Sequence, residues 1–228
     1  MEFADIGLVM LRLTNFSDKP SALDHYLWQL RDKSIHSNPD LFRENLRRVG
    51  RVIGYEISKE LEYTDKQIET PMQSMKQRVL SDSVVAITIL RAGLPLHDGI
   101  LSAIPSAENG FISAYRKHTP NGSFEIEVGY VACPNLEGKV LILNDPMLAS
   151  GSSFINALSV LKEYGAPKRI HLAAVVASQE GVDRLLNELK SEVRIWIGAI
   201  DPEMDENKYI VPGLGDAGDL AFGEKLQA

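Results

Sequence analysis

Residues Lys139 to Ser153 read KVLILNDPMLASGSS, an apolar run, one acidic residue and then a short loop of small side chains. The chemistry such a segment can do is hold a sugar phosphate. Val140-Leu141-Ile142-Leu143 is too continuous for a half-exposed strand and reads as the buried centre of a parallel sheet. Asp145 then falls at the carboxyl end of that strand, the edge where open α/β sheets bind their ligands. From Ser150 to Ser153 every side chain is a hydrogen or a hydroxymethyl group. Successive backbone N–H groups there can close around an anion at the N-terminus of the following helix, while Asp145 accepts hydrogen bonds from ribose hydroxyls.

Two other stretches carry chemistry of a complementary kind. Ile89-Leu90-Arg91-Ala92-Gly93-Leu94 closes another apolar run, where Arg91 offers a fork of donors matched to phosphate oxygens and Gly93 lets the main chain come close. Taken alone, Arg-Ala-Gly after a strand is more often a plain surface turn. Near the other end, Tyr209 to Asp219 reads YIVPGLGDAGD. So many glycines beside a proline would ordinarily mark a solvated tail, but Ile210, Val211 and Leu214 argue for a folded loop packed on the sheet edge.

DPMLASGSS resembles the phosphoribosyl-diphosphate (PRPP) signature of the type I phosphoribosyltransferases, most closely the form carried by the uracil phosphoribosyltransferases, usually DPMLATGGS. Asp145 followed by Pro146, where most type I enzymes have two adjacent acids, marks the uracil branch. Ser150 in place of Thr keeps the hydroxyl, whereas Ser152 in place of Gly adds a Cβ to the loop. ILRAGL, Tyr115-Arg116 and YIVPGLGDAGD match the same family, as do LRDK at Leu30 to Lys33, FRENLRRVGRVIGYE at Phe42 to Glu56 and ETP at Glu69 to Pro71.

The resemblance implies transfer of a phosphoribosyl group from PRPP to uracil, giving UMP and diphosphate, with Mg²⁺ as cofactor brought mainly through PRPP. It places Arg91 and Arg116 on the departing pyrophosphate and Asp145 on the ribose. Pro146, Met147, Leu148, Ala149, Ser150, Gly151, Ser152 and Ser153 surround the 5′-phosphate. Ile210, Gly215, Asp216 and Ala217 contact uracil, and Asp216 also lies near PRPP and its metal. Arg91, Arg116, Asp145 and Asp216 are the implied catalytic set, with no general base among them. Uracil presents an acceptor, donor, acceptor edge, which main-chain groups of a rigid loop can complement.

The elements that position these residues follow from pattern. Strands are expected over Val84–Leu90, Phe111–Ala114, Lys139–Leu143, Ile170–Ala177 and Val193–Ile197, and helices over Leu96–Ala103, Ser153–Tyr164 and Gly181–Lys190. That alternation predicts an α/β fold with a mostly parallel sheet flanked by helices, which in the resembled family is the type I phosphoribosyltransferase fold. Asn38-Pro39-Asp40 caps a long helix whose apolar face runs from Leu41 to Leu61. Its arginines, Arg43, Arg47, Arg48 and Arg51, are interrupted by Glu44 and Glu56 and read as a solvated face. Thr119-Pro120-Asn121-Gly122 reads as the turn of a projecting hairpin that reaches a partner subunit. Residues 1–20 read as an arm or swapped strand on a single domain spanning 1–228.

Composition narrows the classes. Acids outnumber bases 31 to 24, which opposes nonspecific nucleic-acid binding and requires any basic site to be local. The single Cys133 supports no internal disulfide, and the start MEFAD has neither a basic nor an apolar leader region, so a reduced cytoplasmic protein is expected. No apolar run approaches a membrane span. A homodimer or higher homo-oligomer is what the resemblance implies. Two other readings stand beside the enzyme: a pyrimidine-responsive RNA-binding regulator on the same fold, and a catalytically weak relative whose phosphate loop is spoiled by Ser152. The five histidines have no spacing that suggests a metal site and read as structural or surface residues, His97 among them although it lies one turn past the Arg91 loop.

Overall fold

The structure, a computed structural model, describes residues 12–118, 124–189 and 192–225, with backbone alone for 114–118 and 124–128. In chain order come β1 (Leu13–Asn15), α1 (Ala22–Arg31), α2 (Pro39–Ser58), β2 (Tyr63–Glu69), β3 (Ser74–Leu80), β4 (Val84–Leu90), α3 (Leu94–Ala103), β5 (Glu108–His118) and β6 (Phe124–Ala132). They are followed by β7 (Val140–Asn144), β8 (Met147–Leu148), α4 (Ser152–Leu161), β9 (Arg169–Ser178), α5 (Gln179–Glu188), β10 (Val193–Asp201), β11 (Glu203–Met204), β12 (Ile210–Val211) and α6 (Ala217–Phe222). Among the described residues the central sheet runs β1-β10-β9-β7-β4-β5-β6, with β8 also paired to β9. Every pairing is parallel except β5 with β6.

The continuous apolar runs form strands because both faces are covered. Along β4, Val84 and Ala86 pack toward α1, α2 and α3, while Val85, Ile87 and Ile89 pack toward α4 and α5. The same alternation divides Val140 and Ile142 from Leu141 and Leu143 on β7. Each such side chain, fully withdrawn from water, stabilises the fold by about 1.5–3 kcal/mol. A sheet held this firmly fixes where its carboxyl edge lies, and the chemistry-bearing loops leave from that edge.

The long helix starts as its sequence dictates: the Asn38 side chain accepts from the N–H groups of Asp40 and Leu41, and Pro39 takes the first turn. Its last helical residue is Ser58, and Leu61 is buried beyond it. The turn expected at Thr119–Gly122 lies outside the described residues, but the strands that flank it are antiparallel as a hairpin requires. β1 pairs in parallel with β10, and Arg12 donates to the carbonyls of Leu186 and Leu189 at the end of α5.

A second antiparallel hairpin, β2–β3, has no counterpart in the sequence expectations. Its residues are exposed almost throughout, so neither strand carries the apolar alternation that marks a half-buried strand. Helix α1 was also unforeseen. Its signal is present: Ser21 and Asp24 form a reciprocal capping box, and Leu23, Leu27 and Leu30 recur on one buried face.

Candidate active site

The carboxyl ends of β4 and β7 open onto a cleft of about 850 Å³, closed on its other side by the segment from Lys208 to Lys225. Its walls bring together Arg91, Asp145, Met147 to Ser153, Ile210, Gly215, Asp216 and Ala217. Pro146 is buried and faces away; its carbonyl accepts from the N–H groups of Val175 and Val176, which anchors the start of the loop to β9. Arg116 lies in β5 opposite Ile126, and its side chain is outside the description. His97 does not reach the cleft. It is buried with one ring nitrogen 2.8 Å from Asn109 Oδ1 and the other 3.2 Å from Asn144 Nδ2, and burial holds its pKa below the usual value. Its role is to support the strand end that presents Asp145.

The loop expected to hold the phosphate is shaped by Gly151, whose φ of 75° is left-handed, followed by α4 beginning at Ser152. The first turn of such a helix leaves its backbone N–H groups without intrahelical partners, and here they open on the cleft. Ser152 itself is helical, since Lys208 is the one non-glycine among the described residues with positive φ. Its Cβ is therefore unstrained, and the substitution of serine for glycine leaves the loop geometry intact.

Two carboxyls face each other across the site. Burial, helped by the nearby Asp216 and opposed by a bond from the Met147 N–H at 3.3 Å, pushes the Asp145 carboxyl up to about 7. A folded-state pKa above the unfolded one means that ionised Asp145 costs the fold stability. The cost is absent below the unfolded pKa, grows as pH rises toward the folded one, and is complete above it. Asp145→Asn should therefore raise the melting temperature by about 3 °C or more near pH 8, with less than half that gain near pH 5. Equal melting temperatures near pH 8, or a larger gain in acid, would contradict this reading.

Among the described residues no group of three or more His, Cys, Asp or Glu is arranged to hold a metal. Asp145 and Asp216 do offer hard oxygen donors on the cleft, and a magnesium ion that keeps its waters and shares substrate phosphates needs no more than one or two carboxylates. The donor set fits an ion that arrives with a phosphorylated substrate.

The glycine-rich loop near the end of the chain is tied down from behind. Arg31, on α1, makes two bonds to the Asp201 carboxylate at 2.8 and 2.9 Å and donates to the Gly213 carbonyl at 3.1 Å. Asp201 in turn accepts from the Gly213 N–H at 2.9 Å. Asp216 caps α6 by accepting from the Asp219 N–H, and Asp219 lies 3.3 Å from Arg91. The Arg91–Asp219 contact ties the loop that carries Arg91 to the capped start of α6, and Arg31 with Asp201 holds the same segment at Gly213. Arg31, Asp201 and, behind the phosphate loop, Arg184 were not foreseen as part of the site. LRDK was a visible signal for Arg31; Asp201 meets Arg31 across 170 residues, and Arg184 meets Ser152 across 32.

Comparison with known proteins bears on this site. The family model described as uracil phosphoribosyltransferase matches residues 17–224. A Porphyromonas gingivalis protein named uracil phosphoribosyltransferase is 48% identical over 206 residues, covering 90% of this chain and 95% of its own. One of the same name from Methanococcus vannielii is 42% identical over 216 residues, covering 93% and 90%. A solved structure from Aquifex aeolicus superimposes with a TM-score of 0.84 at 27% identity, covering 94% of this chain and all of that one.

Proposed function

The chain belongs to the uracil phosphoribosyltransferase family, and from that premise we propose how its cleft converts uracil and PRPP to UMP and diphosphate. It is a pentosyltransferase, built on the mostly parallel, helix-flanked sheet of the type I phosphoribosyltransferases. The observation that carries the mechanism is the convergence of the phosphate loop, Arg91, Asp145 and the Gly215–Ala217 segment on one cleft.

The backbone N–H groups at the start of α4, with the hydroxyls of Ser150 and Ser153, hold the 5′-phosphate. Ionised Asp145 accepts from the ribose hydroxyls, which places C1 of the ribose between the two loops. Arg91 and Arg116 meet the charge that develops on the departing pyrophosphate. N1 of uracil approaches C1 from the opposite face as the bond to pyrophosphate breaks, through an oxocarbenium-like state. Main-chain groups around Ile210 and Gly215 to Ala217 pair with the uracil edge and keep N1 in line. Asp145 and Asp216 would hold a magnesium ion that arrives with the substrate, and when bound it would supply positive charge to the pyrophosphate. Catalysis is positioning and electrostatics, with no covalent intermediate on the protein.

We read the enzyme as a cytoplasmic homodimer or higher oligomer acting as one domain. Cys133 is free, no helix of the described residues is long and apolar enough to cross a membrane, and β2–β3 exposes Tyr63, Met72 and Met75 for a second copy to cover. Arg91→Ala and Arg116→Ala test the leaving-group assignment. Each should lower kcat/KM for PRPP by about 10²-fold while the melting temperature stays near that of the parent. PRPP kinetics equal to the parent's in both variants would reject it.

A further inference from the structure

Helix α5 carries the phosphate loop on one of its faces. Ser178, its N-cap, donates from Oγ to the Ala149 carbonyl at 2.7 Å and accepts from the Gly181 N–H at 2.9 Å. One helical face further on, Arg184 donates through a single nitrogen to the Ser150 carbonyl at 3.1 Å and to Ser152 Oγ at 2.7 Å. Its Nε is held by Glu188 at 2.7 Å, so the guanidinium is fixed from both ends. Ser152 Oγ lies 3.0 Å from Ser150 Oγ.

Hydrogen counting constrains these contacts. A guanidinium only donates, so one lone pair of Ser152 is taken by Arg184, and the Ser152 hydroxyl keeps its proton and a second lone pair. Either serine can donate in the contact with Ser150 Oγ, and when Ser152 does so Ser150 keeps its own proton to give. Ser150 and Ser152 line the cleft and Arg184 does not. We propose that Arg184 is a positioning residue for the 5′-phosphate, acting through a donor chain from Arg184 to Ser152 to Ser150 that ends in a hydroxyl aimed at the phosphate. The proposal rests on the assignment of this cleft to PRPP. It also gives Ser152, where the family usually has Gly, a part that a glycine cannot play. Donors linked in this way polarise one another, and a charged first member strengthens each bond that follows.

The test compares the parent with Arg184→Gln, Ser152→Ala, Ser152→Gly and the double variant Arg184→Gln with Ser152→Ala. Arg184 is exposed along one side and Ser152→Ala keeps the Cβ, so each should fold; thermal unfolding checks it. Arg184→Gln should raise KM for PRPP about ten-fold, with KM for uracil and kcat at saturating PRPP within about two-fold of the parent. Ser152→Ala and Ser152→Gly, which cut the same chain, should raise it by a similar factor. In the Ser152→Ala background, Arg184→Gln should cost clearly less than in the parent, since the chain is already cut. A purely structural role would move both substrates' KM values, or would add in full in the double variant.

Binding of ribose 5-phosphate, followed by calorimetry, separates this proposal from the functional assignment because it needs no turnover. Weaker ribose 5-phosphate binding in Arg184→Gln and Ser152→Ala supports the chain even in an enzyme that makes no UMP. Unchanged ribose 5-phosphate binding and unchanged PRPP KM in both variants overturn it, while UMP formation by the parent leaves the function standing. No binding of ribose 5-phosphate to the parent also overturns it.

Discussion

Cytosine should be a poorer substrate than uracil by at least about 10⁴-fold in kcat/KM, because a site built to pair with one hydrogen-bond pattern leaves buried groups unpaired when the pattern reverses. Uracil offers O2, N3–H and O4 along the recognised edge; cytosine replaces the N3–H by an acceptor and O4 by an amino donor. The groups that would meet this edge are main-chain groups of the segment around Gly215 to Ala217, and they cannot rotate to suit. Arg31 and Asp201 clamp Gly213 through both its N–H and its carbonyl, and Asp216 is committed as the cap of α6. Steady-state kinetics with each base at saturating PRPP measure the ratio. A ratio below about 10², the range of a merely hydrophobic pocket, would show that the loop does not read the edge. Orotate and hypoxanthine should likewise fail, and a purine as the better substrate would remove the assignment altogether.

The second large effect is expected at Gly93. A Cβ added there would stand 2.0 Å from Thr88 Oγ1 and 2.7 Å from the Ile89 carbonyl, with the Asn144 carbonyl at 3.4 Å. None of these can yield cheaply. Thr88 and Asn144 are fully buried, and their strands sit side by side in the sheet. Gly93→Ala must therefore push out the turn that presents Arg91, and displacement of about an ångström at a reacting centre costs about 10² in rate. The loss should appear in kcat/KM for PRPP as about 10²- to 10³-fold, with the fold retained. Adding Thr88→Ala to the same chain should recover only part of it, since the Ile89 carbonyl still blocks the position. Activity within a few-fold of the parent for Gly93→Ala would show that the turn is not held where the cleft needs it.

What could be read from the chain was the machinery made of contiguous residues. The strands β4 and β7 announce themselves because both of their faces are buried, so Val84 to Leu90 and Val140 to Leu143 carry no polar interruption apart from Thr88. Asp145 and the loop to Ser153 follow from such runs by position, whereas the segment from Ile210 to Ala217 was legible only through its resemblance to the family's motif. The supports behind them could not be read in this way. Arg184 meets Ser152 only because α5 packs beside α4's start, and Asp201 meets Arg31 across most of the chain. A periodic pattern records which face of an element is covered; it does not record which loop a polar side chain will reach. The β2–β3 hairpin escaped for a different reason, since strands exposed on both faces have no apolar alternation to display. His97, read as a structural or surface residue despite its nearness to the Arg91 loop, is buried with its ring turned inward to Asn109 and Asn144.

The most direct measurement is the appearance of UMP and diphosphate from uracil and PRPP in the presence of Mg²⁺. The purified chain should form the two products in equal amounts, neither should form when uracil or PRPP is left out, and chelation of the metal should stop both. Saturable PRPP binding with no UMP formed under these conditions would contradict this reading, because a cleft so assembled would then be a binding site and not an enzyme.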